Sequence, residues 1–464
     1  MYMDPEKRAR RQSLRVIISE TIMVLAVVVT VAVLALIVSG YWLNSDFKVE
    51  RQGMLQIYSV PTGANVAVDG DSPWFQRTNT SKVLSSGQHE IVLTKDGYDS
   101  WSKTIEISEG LLYRLHYPRL FLLNREKEAV YSTDTISFVT ASPSRRLLLI
   151  ADNTTAWTLI NLDSDSPRAT TLDISKYFST ISLASGATTG LFTGEIISAE
   201  WDNSNEHILF EVAGSTGVEW VLINIKNPAS SINLTREFAA DFNQIKIFDN
   251  SANSLLAIRN GNLHRIDVGA RQISAILVED VRDFDFYDSE IIYVTSAGIK
   301  MFGIGDSEDI PLVPASIAAQ VLIGKFYDDK YIFVIDGGDI TVYRKNNLEE
   351  EIMTATLSFV PENAKVGYDG SFVIMNSGAN FATLDMETMS MREWTTDTTH
   401  YGWVSSYMIY SVYEGRLFVY DFDGLNRREL ATNVSERFPV VITSDKWLYY
   451  FSDGTLMREW LIGR

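Results

Sequence analysis

The sequence has no cysteine and only five histidines, and these two shortages limit the chemistry that the chain can perform. Without cysteine, the 464 residues provide no disulfide bond, no thiolate metal ligand and no cysteine nucleophile. An exported eukaryotic protein of this size usually has disulfides, so the absence favours a bacterial or archaeal envelope protein. The histidines are not spaced as metal ligands and no HExxH motif occurs; they are His89, His116, His207, His264 and His400.

Motifs that identify common enzyme classes are also missing. No G-x-S-x-G nucleophile elbow occurs, and the glycine-rich stretch 186–194 lacks the Gly-Lys-Ser/Thr ending of a phosphate-binding loop. The acidic pairs Asp163/Asp165 and Asp421/Asp423 are not followed by the further ligands of a calcium loop, so we interpret them as turns. We therefore predict a protein that is not an enzyme and has no cofactor or metal. Carboxylates that cleave glycans can come from distant repeats, and nothing selects a pair among 59 acidic residues.

Positive charge is scarce outside the N-terminus. The net charge is −19, yet residues 1–20 hold five Lys/Arg and three Asp/Glu, which leaves 35 basic and 56 acidic residues afterwards. A surface this acidic repels phosphate backbones, so a nucleic-acid partner is not expected. For most of the acidic residues, solubility is a sufficient explanation.

A single long apolar run follows the basic segment. From Thr21 to Val38 no charged residue occurs, and Tyr41 and Trp42 come next, as aromatic residues do at a lipid–water boundary. The positive-inside rule predicts a cytoplasmic basic tail at 1–20, a transmembrane signal anchor at 21–43 and extracytoplasmic domains beyond. A cleaved signal peptide is the alternative, although its apolar region is typically shorter.

Residues 50–118 have the pattern of a small β-sandwich. Short alternating stretches such as 54–58, 65–68 and 89–93 are separated by turn signals, among them Asp69-Gly70. The run LQIYSVPTGANVAVDG, followed by SSGQHEIVLTKDGYDSW, resembles the PEGA domain, with Thr62 in place of the glutamate of the naming motif. The resemblance implies a module found in prokaryotic surface proteins, where it serves in surface display or adhesion. No catalytic activity is associated with the motif.

Residues 120–464 carry a repeated β unit. Hydrophobic strands open near residues 147, 207, 254, 291, 331, 371, 407 and 446, mostly about 40 residues apart, and each is followed by a turn and a second strand. A period near 40 is typical of β-propeller blades, of which this span holds seven or eight. A stack of β-sandwiches is the other architecture considered. Because the last hairpin lies so near residue 464, we expect Leu120–Leu123 to supply the outer strand that closes the ring.

Some copies resemble the propeller repeats of TolB-like and WD40-like proteins. The stretches 140–147 and 200–210 are similar to the first strands of such a repeat, and Tyr420-Asp421-Phe422-Asp423-Gly424 to its outer turn. This resemblance implies the fold and leaves the partner open. The overall expectation is an all-β ectodomain, a small β-sandwich plus a seven- or eight-bladed propeller, behind one N-terminal transmembrane helix.

Two stretches are candidate ligand contacts. Trp74 and Phe75 stand in a turn-rich segment, and Thr188, Thr189 and Phe192 belong to a long glycine-rich loop between early blades. Structural alternatives are packing on a neighbouring sheet for the aromatic pair and an ordinary insertion for the loop.

The function expected from the sequence is that of a non-catalytic, single-pass interaction or scaffold protein of the cell envelope that binds a protein or a glycan. The alternative is an envelope hydrolase or lyase acting on glycan or peptide, with acidic residues in the propeller channel. A sensor that passes a signal inward is a third hypothesis, weakened by the short basic tail.

Overall fold

The computed structural model divides into two compact units, residues 1–123 with 462–464 and residues 124–461. It describes the whole chain except residues 1–4, 39–40, 44–48, 73–75, 134, 153–155, 180, 183–190, 215–216, 249–251, 304–309, 314–318, 346, 368–369 and 464.

The first unit begins with one long helix, α1 (Pro5–Val38). Within it, Ile18–Ala35 has a mean hydropathy of 2.4 and none of its side chains is buried in the protein. A helix of this length and composition can cross a membrane or serve as a signal sequence. The helix ends at Val38, before a short strand pair, Tyr41–Leu43 with Val49–Arg51. The predicted anchor 21–43 therefore extends five residues beyond the helix.

Two three-stranded sheets form the sandwich that follows. In one sheet, Gly53–Ile57 is central, antiparallel to Thr80–Leu84 and parallel to Leu112–Leu115. In the other, Gly87–Thr94 lies between Asn65–Val68 and Trp101–Ile107.

The sandwich buries the alternate residues that the sequence pattern indicates, including Leu55, Val66 and Ile91. Trp101 is fully buried, so it packs the core rather than offering a surface for a sugar. Asp69 and Gly70 both have positive φ, as the hairpin turn predicted there requires.

The second unit consists mainly of four-stranded antiparallel sheets, with one two-stranded pair, Ile181–Ser182 with Leu191–Phe192. Its described residues form eight four-stranded sheets, called blades 1 to 8 here, with the strands of blades 1 to 7 in chain order. The first four blades comprise Phe138–Ala141, Leu147–Ala151, Ala156–Asn161 and Arg168–Asp173 (blade 1); Glu195–Trp201, His207–Gly214, Gly217–Asn224 and Ile232–Asn233 (blade 2); Gln244–Ile247, Ser254–Arg259, Asn262–Asp267 and Gln272–Ile273 (blade 3); Asp283–Tyr287, Glu290–Thr295, Gly298–Gly303 and Ile310–Val313 (blade 4).

The other four comprise Gln320–Phe326, Asp329–Asp336, Asp339–Arg344 and Asn347–Thr356 (blade 5); Asn363–Val366, Phe372–Ser377, Asn380–Asp385 and Ser390–Thr395 (blade 6); Tyr401–Trp403, Met408–Tyr413, Arg416–Asp421 and Arg428–Thr432 (blade 7); Val441–Thr443, Trp447–Ser452, Thr455–Trp460 and Lys127–Ser132 (blade 8). Helical turns lie between blades at Ser175–Tyr177 and α2 (Leu234–Phe238), and one lies within blade 2, at Pro228–Ser230.

Neighbouring blades share apolar cores, and the series closes on itself. Trp157 of blade 1 packs edge-on against Phe210 of blade 2, with ring centroids 5.4 Å apart. At the other end of the series, Tyr449 of blade 8 belongs to the same core cluster as Ile150 of blade 1. Each blade thereby buries its two apolar faces against its neighbours. The unit is a β-propeller.

The strand that closes the ring is not the one expected. The outer position of blade 8 is taken by Lys127–Ser132, which pairs with Thr455–Trp460. Leu120–Leu123 belongs instead to the sandwich unit, where the Leu120 N–H donates to the Val60 carbonyl and the Asp99 N–H to that of Phe121. The prediction that a segment before blade 1 closes the ring is correct. The residues predicted for it, Leu120–Leu123, are wrong, because Leu120 and Phe121 are buried in the sandwich core.

Candidate ligand-binding site

The first strand of each blade is the innermost. First strands of successive blades contact one another, as Glu195–Trp201 contacts Gln244–Ile247 and Asp283–Tyr287 contacts Gln320–Phe326. They therefore line the channel along the axis of the propeller, and their alternate side chains point into it.

Polar side chains in this inner layer bond one blade to the next. In each bond, one partner is a side chain on the first strand of a blade. The other partner lies on the first strand of a neighbouring blade or just before that strand. The bonds are Trp201 Nε1 to Thr140 Oγ1 (3.0 Å), Ile247 N to Glu200 Oε1 (3.4 Å), Lys246 Nζ to the Phe284 carbonyl (2.6 Å), Ile323 N to Asp285 Oδ2 (3.1 Å) and Gln320 Nε2 to the Pro361 carbonyl (2.9 Å). The channel wall is thus fastened by side chains as well as by apolar packing.

The turns between first and second strands form the rim of one mouth of the channel. At three of them a side chain closes the turn by accepting a backbone N–H: Ser142 from Leu147 (3.1 Å), Asp202 from His207 (3.0 Å) and Ser405 from Tyr407 (3.2 Å). Burial alone would raise the pKa of Asp202, but hydrogen bonds from His207 and Ser204 hold that pKa below its usual value. These bonds keep the rim rigid.

Three adjoining cavities occupy this mouth. The first, of about 450 Å³, is bordered by blades 1, 2, 6 and 7, and therefore spans the axis; its lining includes Arg145, Glu200, Lys365, Trp403 and Ser406. The second, of about 320 Å³, shares Arg145, Lys365 and Trp403 and extends to blade 8. The third, of about 630 Å³, lies over blades 2 to 4 and shares Glu200. Cavities of this size accommodate small ligands or the end of a chain.

Glu200 has the most altered acidity in the channel. Glu200 is exposed toward the cavities that it borders, yet protein surrounds its carboxyl group on most sides, and this desolvation raises its pKa to about 7. The Ile247 N–H and the charges of Lys246 and Lys365 oppose that rise, whereas Asp285 adds to it. The carboxyl group of Glu200 is therefore partly protonated at neutral pH.

Deeper acidic groups belong to blade 4. Burial also raises the pKa of Asp283, against the opposing charge of Lys246. Asp285 lies 3.5 Å from the Lys246 ammonium, and both aspartates accept N–H groups of blade 5. These carboxylates are already bonded to neighbouring blades.

Of the five candidate contacts chosen from the sequence, Phe192 is the one that lies among the described residues. Trp74, Phe75, Thr188 and Thr189 lie outside the described residues. Phe192 is only 8% exposed and packs edge-on against Trp157 and Phe178, with ring centroids 5.6 and 5.4 Å apart. It is a core residue between blades 1 and 2, so the ligand-contact interpretation of Phe192 is replaced by a structural one.

The residues considered for metal binding have protein partners. Asp421 bonds Arg428 at 3.1 Å and Asn426 at 2.8 Å, as expected of a turn. His89 and His207 pair with Asp69 and Asp202 at 2.7 and 2.8 Å. Across the described residues, no group of three or more His, Cys, Asp or Glu is placed to hold an ion.

Sequence reasoning missed Arg145, Glu200, Lys365 and Trp403 because they are separated by whole blades along the chain. The sequence feature that could have identified these residues is their position within the repeat. Each of these residues lies on the first strand of its blade or in the turn that follows it. In the sequence, this strand comes just before the apolar strand that was predicted to open the repeat, and polar residues in it can face the channel.

Comparison with known proteins agrees with this division of the chain. Residues 52–118 match the PEGA domain family, so the resemblance seen in the sequence is confirmed for the sandwich. No curated protein matches the chain.

Two of the solved structures that are similar to the chain are propellers. The C-terminal WD40 domain of Sif2 has a TM-score of 0.48 and 12% identity, and the match covers 73% of this chain and 99% of that one. The Cps50 (Swd1) β-propeller domain of Myceliophteria thermophila has a TM-score of 0.40 and 9% identity, covering 73% and 100%. From its own sheets and the match over residues 52–118, the described chain is an apolar helix followed by a PEGA sandwich and a β-propeller.

Proposed function

We propose that this chain is a membrane-anchored, non-catalytic interaction protein of a prokaryotic cell envelope, whose propeller binds a protein or glycan partner outside the cytoplasm. The observation that carries the proposal is the rimmed cavity across the channel mouth, bordered by side chains from four blades of a rigid ring. Binding sites commonly form where loops on a rigid scaffold converge.

The orientation follows from charge. Lys7, Arg8, Arg10, Arg11 and Arg15 precede the apolar stretch, and cytoplasmic flanks are enriched in such residues. With α1 kept as an anchor, the sandwich and the propeller then lie outside the cytoplasm. The alternative, a cleaved signal sequence, releases the same two domains into the same compartment.

Crosslinking from the mouth tests the binding role. Ser406, half-buried beside the 450 Å³ cavity, is replaced by p-benzoylphenylalanine in the full chain, and Arg168, exposed on the outermost strand of blade 1, by the same group as control. After irradiation of cells, we expect a discrete adduct from position 406 and none of that mass from position 168. Identical adducts from both positions, or none from 406, would count against a partner at the mouth.

A hydrolase or lyase is the second candidate, and Glu200 is the observation that favours it. A carboxyl group with a pKa of about 7 next to a cavity has the acidity of a general acid. Against it, Glu200, Asp283 and Asp285 all accept backbone N–H groups of adjacent blades. Turnover of labelled glycans or peptides that is lost in Glu200→Gln but kept in Glu195→Gln, an exposed residue on the same strand, would support the enzyme.

A further inference from the structure

Two basic side chains face the same cavity from different blades. Arg145 belongs to the turn after the first strand of blade 1, and Lys365 to the first strand of blade 6; both border the 450 Å³ and the 320 Å³ cavities. Their convergence stands out because the chain as a whole carries a charge of −19. Channel walls of low polarisability concentrate the field of such a pair at the mouth.

The acidic residue opposite them can lose its charge. Glu200 of blade 2 borders the same cavity, and its raised pKa of about 7 leaves it partly protonated at neutral pH. The charged groups that act on it are Lys246, Asp285 and Lys365. Among the described residues that line the 450 Å³ cavity, Arg145, Lys365 and Glu200 are the ionisable side chains. The adjoining 630 Å³ cavity adds Asp202 and Asp288, which pair with His207 and Lys330.

The remaining lining suits a polypeptide. Trp403 is half-buried and presents part of an aromatic ring, while Ser406 and Thr140 contribute hydroxyl groups. Aromatic surface and hydroxyls beside paired cations match a short segment with carboxylates, backbone amides and some apolar surface.

We infer that this mouth binds the acidic end of a partner polypeptide, with Arg145 and Lys365 receiving its carboxylates. The inference rests on the proposed binding function and adds the chemistry of the partner. A chain end is favoured over a long acidic glycan because the ectodomain surface is acidic and repels an extended polyanion. A chain end needs to approach only at the axis of the ring.

The test uses the full chain in nanodiscs of zwitterionic lipid. The probe is a fluorescein-labelled peptide, Gly-Gly-Glu-Glu-Glu with a free carboxyl end, and its reference is Gly-Gly-Gln-Gln-Gln amide. We expect the acidic peptide alone to bind, and the double variant Arg145→Gln/Lys365→Gln to weaken its Kd by about tenfold. The matched control, Arg168→Gln/Arg392→Gln, removes the same charge from outermost strands of the same two blades and should change Kd by less than about twofold.

The pH dependence supplies a second readout. The peptide carboxylates are ionised at both pH 6 and pH 8, so deprotonation of Glu200 should weaken binding at the higher pH. In Glu200→Gln, that difference between pH 6 and pH 8 should disappear.

Three results would overturn the inference: equal binding of the two peptides, equal losses in both double variants, or binding of an oligogalacturonate without binding of the peptide. If the crosslinked partner from position 406 persists in Arg145→Gln/Lys365→Gln, the mouth binds a partner whose recognition is not acidic. A different result would contradict the proposed binding function itself. If position 406 gives no adduct, the binding role itself fails.

Discussion

At the scale of single residues, Glu459 is the main charged contact where the propeller closes. Its side chain is fully buried and lies 3.0 Å from both Arg125 and Lys127, while the Tyr450 hydroxyl donates to it at 2.6 Å. Arg125 and Lys127 come from the start of the unit and Glu459 from its end. The contact therefore joins segments more than 300 residues apart.

Removing that carboxylate should destabilise the propeller strongly. Glu459→Ala removes the carboxylate that faces the nearly buried Arg125 guanidinium, and we expect a loss of about 3 kcal/mol in the free energy of unfolding. Urea unfolding followed by tryptophan fluorescence measures it. Asp397→Ala is the control, because Asp397 and its partner Arg427 are both exposed, and losing that pair should cost at most about 1 kcal/mol. Similar costs for the two variants would contradict a buried contact at the closure.

Glu200 should make stability depend on pH in the direction opposite to an ordinary ion-paired carboxylate. Its pKa is raised to about 7 in the folded chain, from an unfolded value near 4.5, so the folded state holds the proton more tightly. Its contribution is present below about pH 4.5 and is lost as pH rises through about 7. Thermal unfolding of Glu200→Gln across pH 4–8 should accordingly lose less stability with rising pH than the wild type does. A parallel pair of curves would mean that the pKa is not raised.

At the scale of elements, the strands that open each repeat were predictable and the closing strand was not. The predicted openings lie within two residues of the second strands of all eight blades, because these strands are buried on both faces and consist of apolar runs. The closing strand Lys127–Ser132 is outermost and mainly exposed, so its sequence has no apolar run to reveal it. Leu120–Leu123 has such a run, but uses it in the sandwich.

The channel residues were unpredictable for a related reason. Glu200, Lys246 and Asp285 each stand singly among apolar neighbours, and the packing of blades 2, 3 and 4 side by side brings them together. The spacing of apolar strands along the chain identifies each blade. It does not show which polar side chains of different blades come into contact. The PEGA sandwich was predictable because its signal is contained in a single stretch of about 65 residues.

An engineered disulfide tests the closing strand directly, since the chain has no other cysteine. Ser132 pairs with Thr455 across blade 8, and their side-chain oxygens lie 3.0 Å apart. Ser132→Cys/Thr455→Cys should crosslink on oxidation and stabilise the propeller by about 2 kcal/mol or more, measured against the reduced protein. Leu122→Cys/Thr455→Cys is the control and should remain reduced. Crosslinking of that control instead would return the closing role to Leu120–Leu123.

At the scale of the whole molecule, charge and hydropathy divide the chain into a basic start, an apolar helix and an acidic remainder. An acidic ectodomain on a membrane is repelled by anionic head groups, so the sandwich and propeller should stay free of the lipid surface. Arg145 and Lys365, which border the same cavity among the described residues, then lie where a partner from solution can reach them. The same asymmetry predicts the orientation in the membrane.

Cysteine labelling in intact bacterial cells measures that orientation. Ser166→Cys places a thiol on an exposed turn of blade 1, and Ser13→Cys places one in α1 before the apolar stretch. A membrane-impermeant maleimide should label position 166 in intact cells and position 13 only after permeabilisation, because the basic flank stays in the cytoplasm. The reverse pattern would place the propeller in the cytoplasm. If the mature protein lacks residue 13, the apolar segment is a cleaved signal sequence. The sandwich and the propeller are then released, and the proposed binding site at the mouth of the channel is the same.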